Sequence, residues 1–164
     1  MHRALAAFVA MFTLTTAPSF AGIADSPLPV LIPGETTLHL YSIPGIIRAV
    51  SLGTFFSCTS TDKAPMRVGV EIFGVGGGAP LNDAAASSLS VGPGATVMFG
   101  TSTAPGFIIS SDLGAPAISK GSARVLSTSK KLICTAFVAD RFNDPPQTSF
   151  QLTIIAKLKQ KAAN

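Results

Sequence analysis

The chain has 164 residues, a formal net charge of +4, 47% hydrophobic residues, one tyrosine, no tryptophan and two cysteines. That length suits one domain with its own core. The scarcity of tyrosine and tryptophan, with no basic helix, excludes the stacking and groove-reading chemistry of a nucleic-acid partner. The two cysteines, Cys58 and Cys134, and the two histidines, His2 and His39, lack the close paired spacing of a zinc set.

The stretch from Met1 to Ala21 has a basic start at His2 and Arg3, an apolar run from Ala4 to Leu14, and a close at Pro18-Ser19-Phe20-Ala21. Small residues at Ser19 and Ala21 complete the pattern of a secretory signal peptide cut after Ala21. The apolar run falls short of a bilayer-spanning helix, and no later segment approaches that length. The expected product is an exported chain, periplasmic or extracellular, with no membrane span. Its divisions are the signal peptide over 1–21, an extended proline-broken arm over 22–36, a β-sandwich domain over 37–158 and a basic tail over 159–164.

Charge is uneven along the exported part. From Gly22 to Ser119 three basic residues face six acidic ones, whereas from Lys120 onward eight basic residues face Asp140 and Asp144 alone. A basic half of this kind marks either a solvated face or a surface for an anionic partner.

Alternation of period two dominates the pattern, which predicts strands. Thr36 to Ile43 reads as a first strand near an edge, where Pro44 does little harm. Val50, Leu52, Thr54, Phe56 and Cys58 form the inward face of the next, and Met66, Val68, Val70 and Ile72 alternate with Arg67 and Glu71 in a half-buried strand with its charges toward water. The short turn Ser60 to Pro65 predicts that these two pair as a hairpin. One helical turn or short helix is expected at Leu81 to Ser88, capped by Asn82 or Asp83.

A second hairpin is predicted around Gly92-Pro93-Gly94, joining Leu89–Val91 to Val97–Phe99. Phe107-Ile108-Ile109 is a short strand candidate. A third hairpin joins Ala123–Ser127 through Thr128-Ser129-Lys130 to Leu132–Ala139, read as buried on both faces. Phe150 to Leu158 alternates most regularly and closes the chain as one last strand. The fold class expected is all-β: a two-sheet antiparallel sandwich, immunoglobulin-like, with about seven to nine strands.

Cys58 and Cys134 lie on predicted core faces of an exported chain, which favours one intramolecular disulfide over two free buried thiols. Such a bond would add up to about 4.5 kcal/mol in the chain-entropy treatment. Its expected place is between the two sheets, as in immunoglobulin domains, although no tryptophan is present to pack on it and Leu132 stands where such domains carry a tyrosine. The segments Val68–Gly74, Val91–Gly100 and Gly121–Asp140 are similar to those of an uncharacterised family of bacterial exported proteins, over about two thirds of the exported chain. That resemblance implies export and a sandwich fold, and carries across no functional residue.

Chemistry is sparse. His39 is the only histidine after the signal peptide and sits in a strand, without a nucleophile elbow anywhere. Phe73 to Ala79 matches a dinucleotide glycine pattern in letters alone, with no helix to follow and no acidic residue at the distance that pattern requires. Asp140 to Pro146 groups carboxylates with Asn143 and Phe142, too few oxygens for calcium. The reading is therefore no catalytic, cofactor-binding or metal-binding residues and no cofactor. Lys130 and Lys131 lead into the Cys134 strand and Arg141 and Phe142 follow it, which makes these four the candidate contacts for an anionic cell-surface polymer or another envelope protein. Two other expectations stand beside this binding role: an envelope-polymer hydrolase whose carboxylates, such as Asp62, Glu71 and Asp112, converge only in the fold, and a fibre subunit that exchanges a strand through its loose arm.

Overall fold

The computed structural model describes residues 22–157; the expected signal peptide and the tail over 159–164 lie outside them. Ten strands follow in order: β1 Leu38–Arg48, β2 Leu52–Ser60, β3 Met66–Phe73, β4 Leu89–Val91, β5 Thr96–Gly100, β6 Ser111–Asp112, β7 Ile118–Ser127, β8 Leu132–Asp140, β9 Ser149–Gln151 and β10 Ile155–Ala156. They make two five-stranded sheets, β10-β1-β7-β3-β4 and β6-β5-β2-β8-β9, antiparallel except where β5 meets β6. This is the expected all-β sandwich.

Alternation places the core between the sheets. Met66, Val68, Val70 and Ile72 of β3 and Ala123 and Val125 of β7 face Phe56, Cys58, Phe99, Leu132 and Ala136 from the opposite sheet. In β1 the inward residues Ile43 and Ile46 break strict alternation. A bulge between them, with Gly45 at φ 86°, restores the face, since an extra residue on one strand resets which side its neighbours point to.

All three predicted hairpins are corrected. β2 and β3, β4 and β5, and β7 and β8 each straddle the two sheets. β2 instead pairs with β5 and β8, and β3 with β4 and β7. The physical reason is general: alternation reveals which face of a strand is apolar, and a short turn between two such strands serves equally well to pair them or to set them across a core. The last strand is also divided. Residues 149–151 lie beside β8, and the chain then crosses to put 155–156 beside β1.

The disulfide is present between Cys58 and Cys134, but within one sheet. The two residues are direct cross-strand partners of β2 and β8, with Cα atoms 4.1 Å apart. Such close spacing belongs to a non-hydrogen-bonded pair. The immunoglobulin-type bridge between sheets is thus corrected. Side-chain links between the sheets come from elsewhere: the Tyr41 hydroxyl of β1 donates to the Leu132 carbonyl of β8, and buried Thr54 of β2 accepts from Ile47 N (2.9 Å) and donates to Ile47 O (2.8 Å) of β1. The strand β8 is not buried on both faces either, since Ile133 and Thr135 are exposed.

Both sheets carry cover on their outer faces. On β7, Leu126 packs with Leu31 of the arm and Ala84 of the 79–88 segment. Gly69 of β3 makes room for both, because a Cβ there would come within 3.0 Å of Ala84 O and 3.2 Å of a Leu31 methyl. The expected helix at Leu81–Ser88 is a single turn, in which Asp83 Oδ1 accepts from Ala85 N and Ala86 N. Asn82 is needed elsewhere: its amide side chain bonds Ile72 N and Val70 O, completing the edge of β3.

Glu71 and Arg124, neighbours across β3 and β7, form a buried ion pair on that same face, which corrects the expectation that Glu71 faces water. The guanidinium also donates to the carbonyls of Ile23 (3.4 Å), Ser26 (3.0 Å) and Pro27 (2.9 Å) and lies over Phe73. The arm is therefore held against the sheet, rather than loose. The second sheet's outer face carries a smaller cluster in which Phe55, Phe107 and Phe137 stack with centroids 4.9 to 5.6 Å apart. Phe107 belongs to a loop, so the short strand expected at Phe107–Ile109 is corrected as well.

Two outcomes are expected. Replacing both cysteines with serine should lower the unfolding free energy by about 2–5 kcal/mol in urea titrations under non-reducing conditions. Arg124→Ala, which leaves Glu71 buried without a counter-charge, should cost about 3–5 kcal/mol, and Arg124→Met combined with Glu71→Leu should recover much of that loss by the same measurement.

Candidate functional site

The four residues expected as contacts do not form one surface. Lys130 and Lys131 precede β8 and Arg141 and Phe142 follow it, so the whole length of an extended strand separates the two pairs. At the lysine end, Asp62 takes up much of the chemistry. It accepts from Ser129 Oγ (2.5 Å), Lys63 N (2.7 Å) and Lys131 Nζ (3.4 Å). The Ser129 hydrogen bond leads these in holding the carboxyl down to about 2, because bonds to the ionised form favour it.

The opposite end is built from three adjoining loops. The turn 49–51 touches the 141–148 loop through Arg141 N and Ser51 O (3.1 Å), and Gly106 lies against Pro146 and Asn143. Arg48 Nε donates to Thr101 O (2.8 Å), tying the end of β1 to the 101–110 loop. Asp140 organises the 141–148 loop: Oδ1 accepts from Phe142 N (2.8 Å) and Oδ2 from the Asn143 amide. Those bonds, Phe142 N first, hold its carboxyl below the usual range. Both oxygens thus serve the loop. Among the described residues no group of three or more His, Cys, Asp or Glu side chains is placed to hold a metal ion.

With the backbone fixed in this way, apolar side chains are held outward. Ile108 is 93% exposed, Val50 83% and Phe142 59%, and the Arg141 guanidinium lies 5.3 Å from the Phe142 ring centroid. Val50 and Ile108 are outward apolar side chains that sequence reasoning missed. Val50 continues the inward register of β2 in the sequence, but that strand begins at Leu52 and Val50 lies in the preceding turn. Ile108 is flanked by Phe107 and Ile109, both packed on the outer phenylalanine cluster, which turns the residue between them to solvent. That alternation is a usable signal once 107–109 is taken as a lid on a sheet.

The remaining chemical candidates resolve into structural roles. His39 Nε2 lies 3.1 Å from Tyr41 O and 3.0 Å from Ser42 Oγ. A ring nitrogen facing a carbonyl carries the proton, so Nε2 is a donor and not the base that would activate Ser42. Burial, then the charges of Lys157 and Arg124, push the imidazole below its ordinary value. The glycine-rich segment forms a tight turn with a Gly74–Gly77 bridge and positive φ at Gly77 and Gly78.

Asp62, Glu71 and Asp112 do not converge. Asp62 belongs to the lysine end, Glu71 is paired with Arg124, and Asp112 caps its own turn through Gly114 N (2.9 Å). The acid that shares a groove with Asp112 is Asp83, alongside Leu81, Asn82, Ser87 and Ser111. In the sequence Asp83 stands out only as a capping residue.

Comparison with family models finds no match, and searches among curated proteins and solved structures find none either.

Acid titration offers a check on the lysine end. A carboxyl depressed in the fold contributes stability that is full above its unfolded value of about 3.9 and is lost as the pH falls through about 2. Asp62→Asn should therefore flatten the dependence of the urea midpoint on pH across that window, while leaving the midpoint at neutral pH below that of the unsubstituted protein.

Proposed function

We propose that this is an exported, non-catalytic β-sandwich that acts by binding, in the cell envelope or at the cell surface, and that its three-loop end is the contact surface. The observation that carries the reading is the outward display of Val50, Ile108 and Phe142 on loops locked to one another by Arg141–Ser51, Arg48–Thr101 and Gly106–Pro146. Apolar side chains held out by a fixed backbone lose little freedom on association, which favours a specific contact. An aromatic beside an arginine is the composition enriched at protein interfaces. The ionisable groups support the same reading, since Glu71, Asp62, Asp140 and His39 each have their bonding taken up by the fold.

Arg48 and Arg141 are accompanied there by Asp140 and Asp144. Mixed charge suits another envelope protein better than an anionic polymer, which would favour the lysine end. Export rests on the leader pattern; the disulfide is compatible with an oxidising compartment, and no described helix is long and apolar enough to cross a membrane. Kinship with the exported family that Val68–Gly74 and its companion segments resemble belongs to the same proposal.

One observation favours a second reading. Asp83 and Asp112 line one groove, which is the arrangement a hydrolase with two carboxylates would use.

Photocrosslinking separates the possibilities. With a benzophenone amino acid at Phe142 or Ile108, the protein should form adducts with one defined envelope component in producing cells, while the same probe at Lys63 or Lys131 should not. Adducts confined to the lysine end would reject the proposed surface. Release of soluble fragments from envelope polymer by the purified protein, abolished by Asp83→Asn and by Asp112→Asn, would replace binding with hydrolysis.

A further inference from the structure

The arm begins with a turn whose first nitrogen is already matched to a negative charge. Gly22 N lies 2.6 Å from Asp25 Oδ1, and the Gly22 carbonyl accepts from Asp25 N (3.3 Å), Ser26 N (3.0 Å) and Ser26 Oγ (2.7 Å). A carboxylate three positions on that reaches back to the first N–H of a turn is one half of a capping box, the half made by the N3 acid, and here the Gly22 carbonyl takes the Asp25 N–H in place of a capping side chain. What distinguishes this one is its position. Gly22 is the residue that cleavage after Ala21 would make the first of the exported chain.

We infer that the Gly22–Asp25 turn is a built receptor for the free α-amino group created by removal of the leader. The inference rests on the export reading given above. Hydrolysis of the Ala21–Gly22 bond by a leader endopeptidase consumes one water. Ala21 takes the water oxygen and leaves with a new carboxylate, and the Gly22 nitrogen keeps the electron pair of the broken C–N bond and takes up both of the water's protons. An α-amino group has an ordinary pKa of about 7.7–8.0, so the new terminus is largely charged at neutral pH. A neutral amide N–H facing Asp25 thereby becomes an ammonium, and a charge-assisted hydrogen bond is roughly twice as strong as a neutral one.

The gain reaches further than one surface pair. The carbonyls of Ile23, Ser26 and Pro27, within and just beyond the same turn, are those that the buried Arg124 guanidinium holds. Ser26 is itself buried. Fixing Gly22 closes the free end of a segment already bonded at its middle, so fraying from the terminus is opposed at its first residue. Removal of the leader thus also tightens the cover over the sheet's outer face.

The test uses the whole exported chain in two forms: one beginning at Gly22, exposed by a site-specific protease, and one that keeps Ala21 before it. Hydrogen exchange at the amides of Ala24, Asp25, Ser26, Leu28 and Val30 near neutral pH should be about threefold slower in the Gly22 form, the scale of an exposed ion pair. In the Asp25→Asn background that difference should vanish, which a merely structural Asp25 would not produce. Equal exchange in the two forms, or a difference that survives Asp25→Asn, overturns the receptor. Mass measurement of the protein recovered from producing cells addresses the export cut separately. A start at Gly22 supports it, and a start elsewhere sinks the cut, and with it the leader-made α-amino group as the natural ligand of the turn, even where the exchange difference is intact.

Discussion

The Arg124–Glu71 pair sets the terms for half of this structure. Two charges lie on what would otherwise be the solvent face of a sheet, and the guanidinium there finds a carboxylate and three carbonyls at once. Burial of the charges is tolerable only because of those partners. The carbonyls belong to the arm, so the arm supplies the ligands that make the buried charge acceptable. The charge in return gives the proline-broken arm a fixed place. Leu31 follows onto Leu126 and Ala84, and the bare position at Gly69 lets the two covering segments meet over β3. A buried pair of this kind specifies position more than it adds stability.

The second constraint is the path of the chain. Six of the nine connections between the strands of the described residues pass from one sheet to the other. Consecutive strands are then stacked across the core instead of paired, and most hydrogen bonding joins residues far apart in sequence, such as β1 with β7 and β2 with β8. The disulfide accordingly staples two non-consecutive neighbours of one sheet, 76 residues apart. Tyr41 and Thr54 carry the polar links between sheets. These assignments divide the work: covalent closure secures a long-range pairing, and hydrogen bonds join the layers.

How far the sequence is legible follows from the same path. Period two identifies the inward residues of β2, β3 and β5, whereas β8 reads as apolar on both faces and its exposed Ile133 and Thr135 are hidden; the predicted core faces of Cys58 and Cys134 identify the bond. It does not say which sheet a strand joins, because a strand packed on either side of a core has the same pattern. Glu71 reads as solvent-facing for a related reason: alternation describes one core and is silent about a second layer laid on the outside. The outward triad Phe55, Phe107 and Phe137 hides in the same way, with Phe55 showing only as a break in the pattern. Lys130 and Arg141 are named together in the sequence because they stand at the two ends of one strand, and an extended strand holds those ends far apart.

The two ends of the sandwich differ in how they use polar groups, and that difference bears on function. At the lysine end, Asp62 turns its acceptors inward to Ser129 and Lys63 while lysines stand in solvent, an arrangement that solvates a tight turn. At the loop end, the carboxylate of Asp140, the guanidinium of Arg48 and the backbone N–H of Arg141 bond loop atoms, so the loops are braced from within and their apolar side chains are left outward. A braced loop that displays Ile108 and Phe142 to water has no folding reason to do so, since neither side chain gains burial there. The same bonds that rigidify this end therefore keep Ile108 and Phe142 outward, and under the proposed binding role a partner that covered them would bury apolar area without first having to order the backbone.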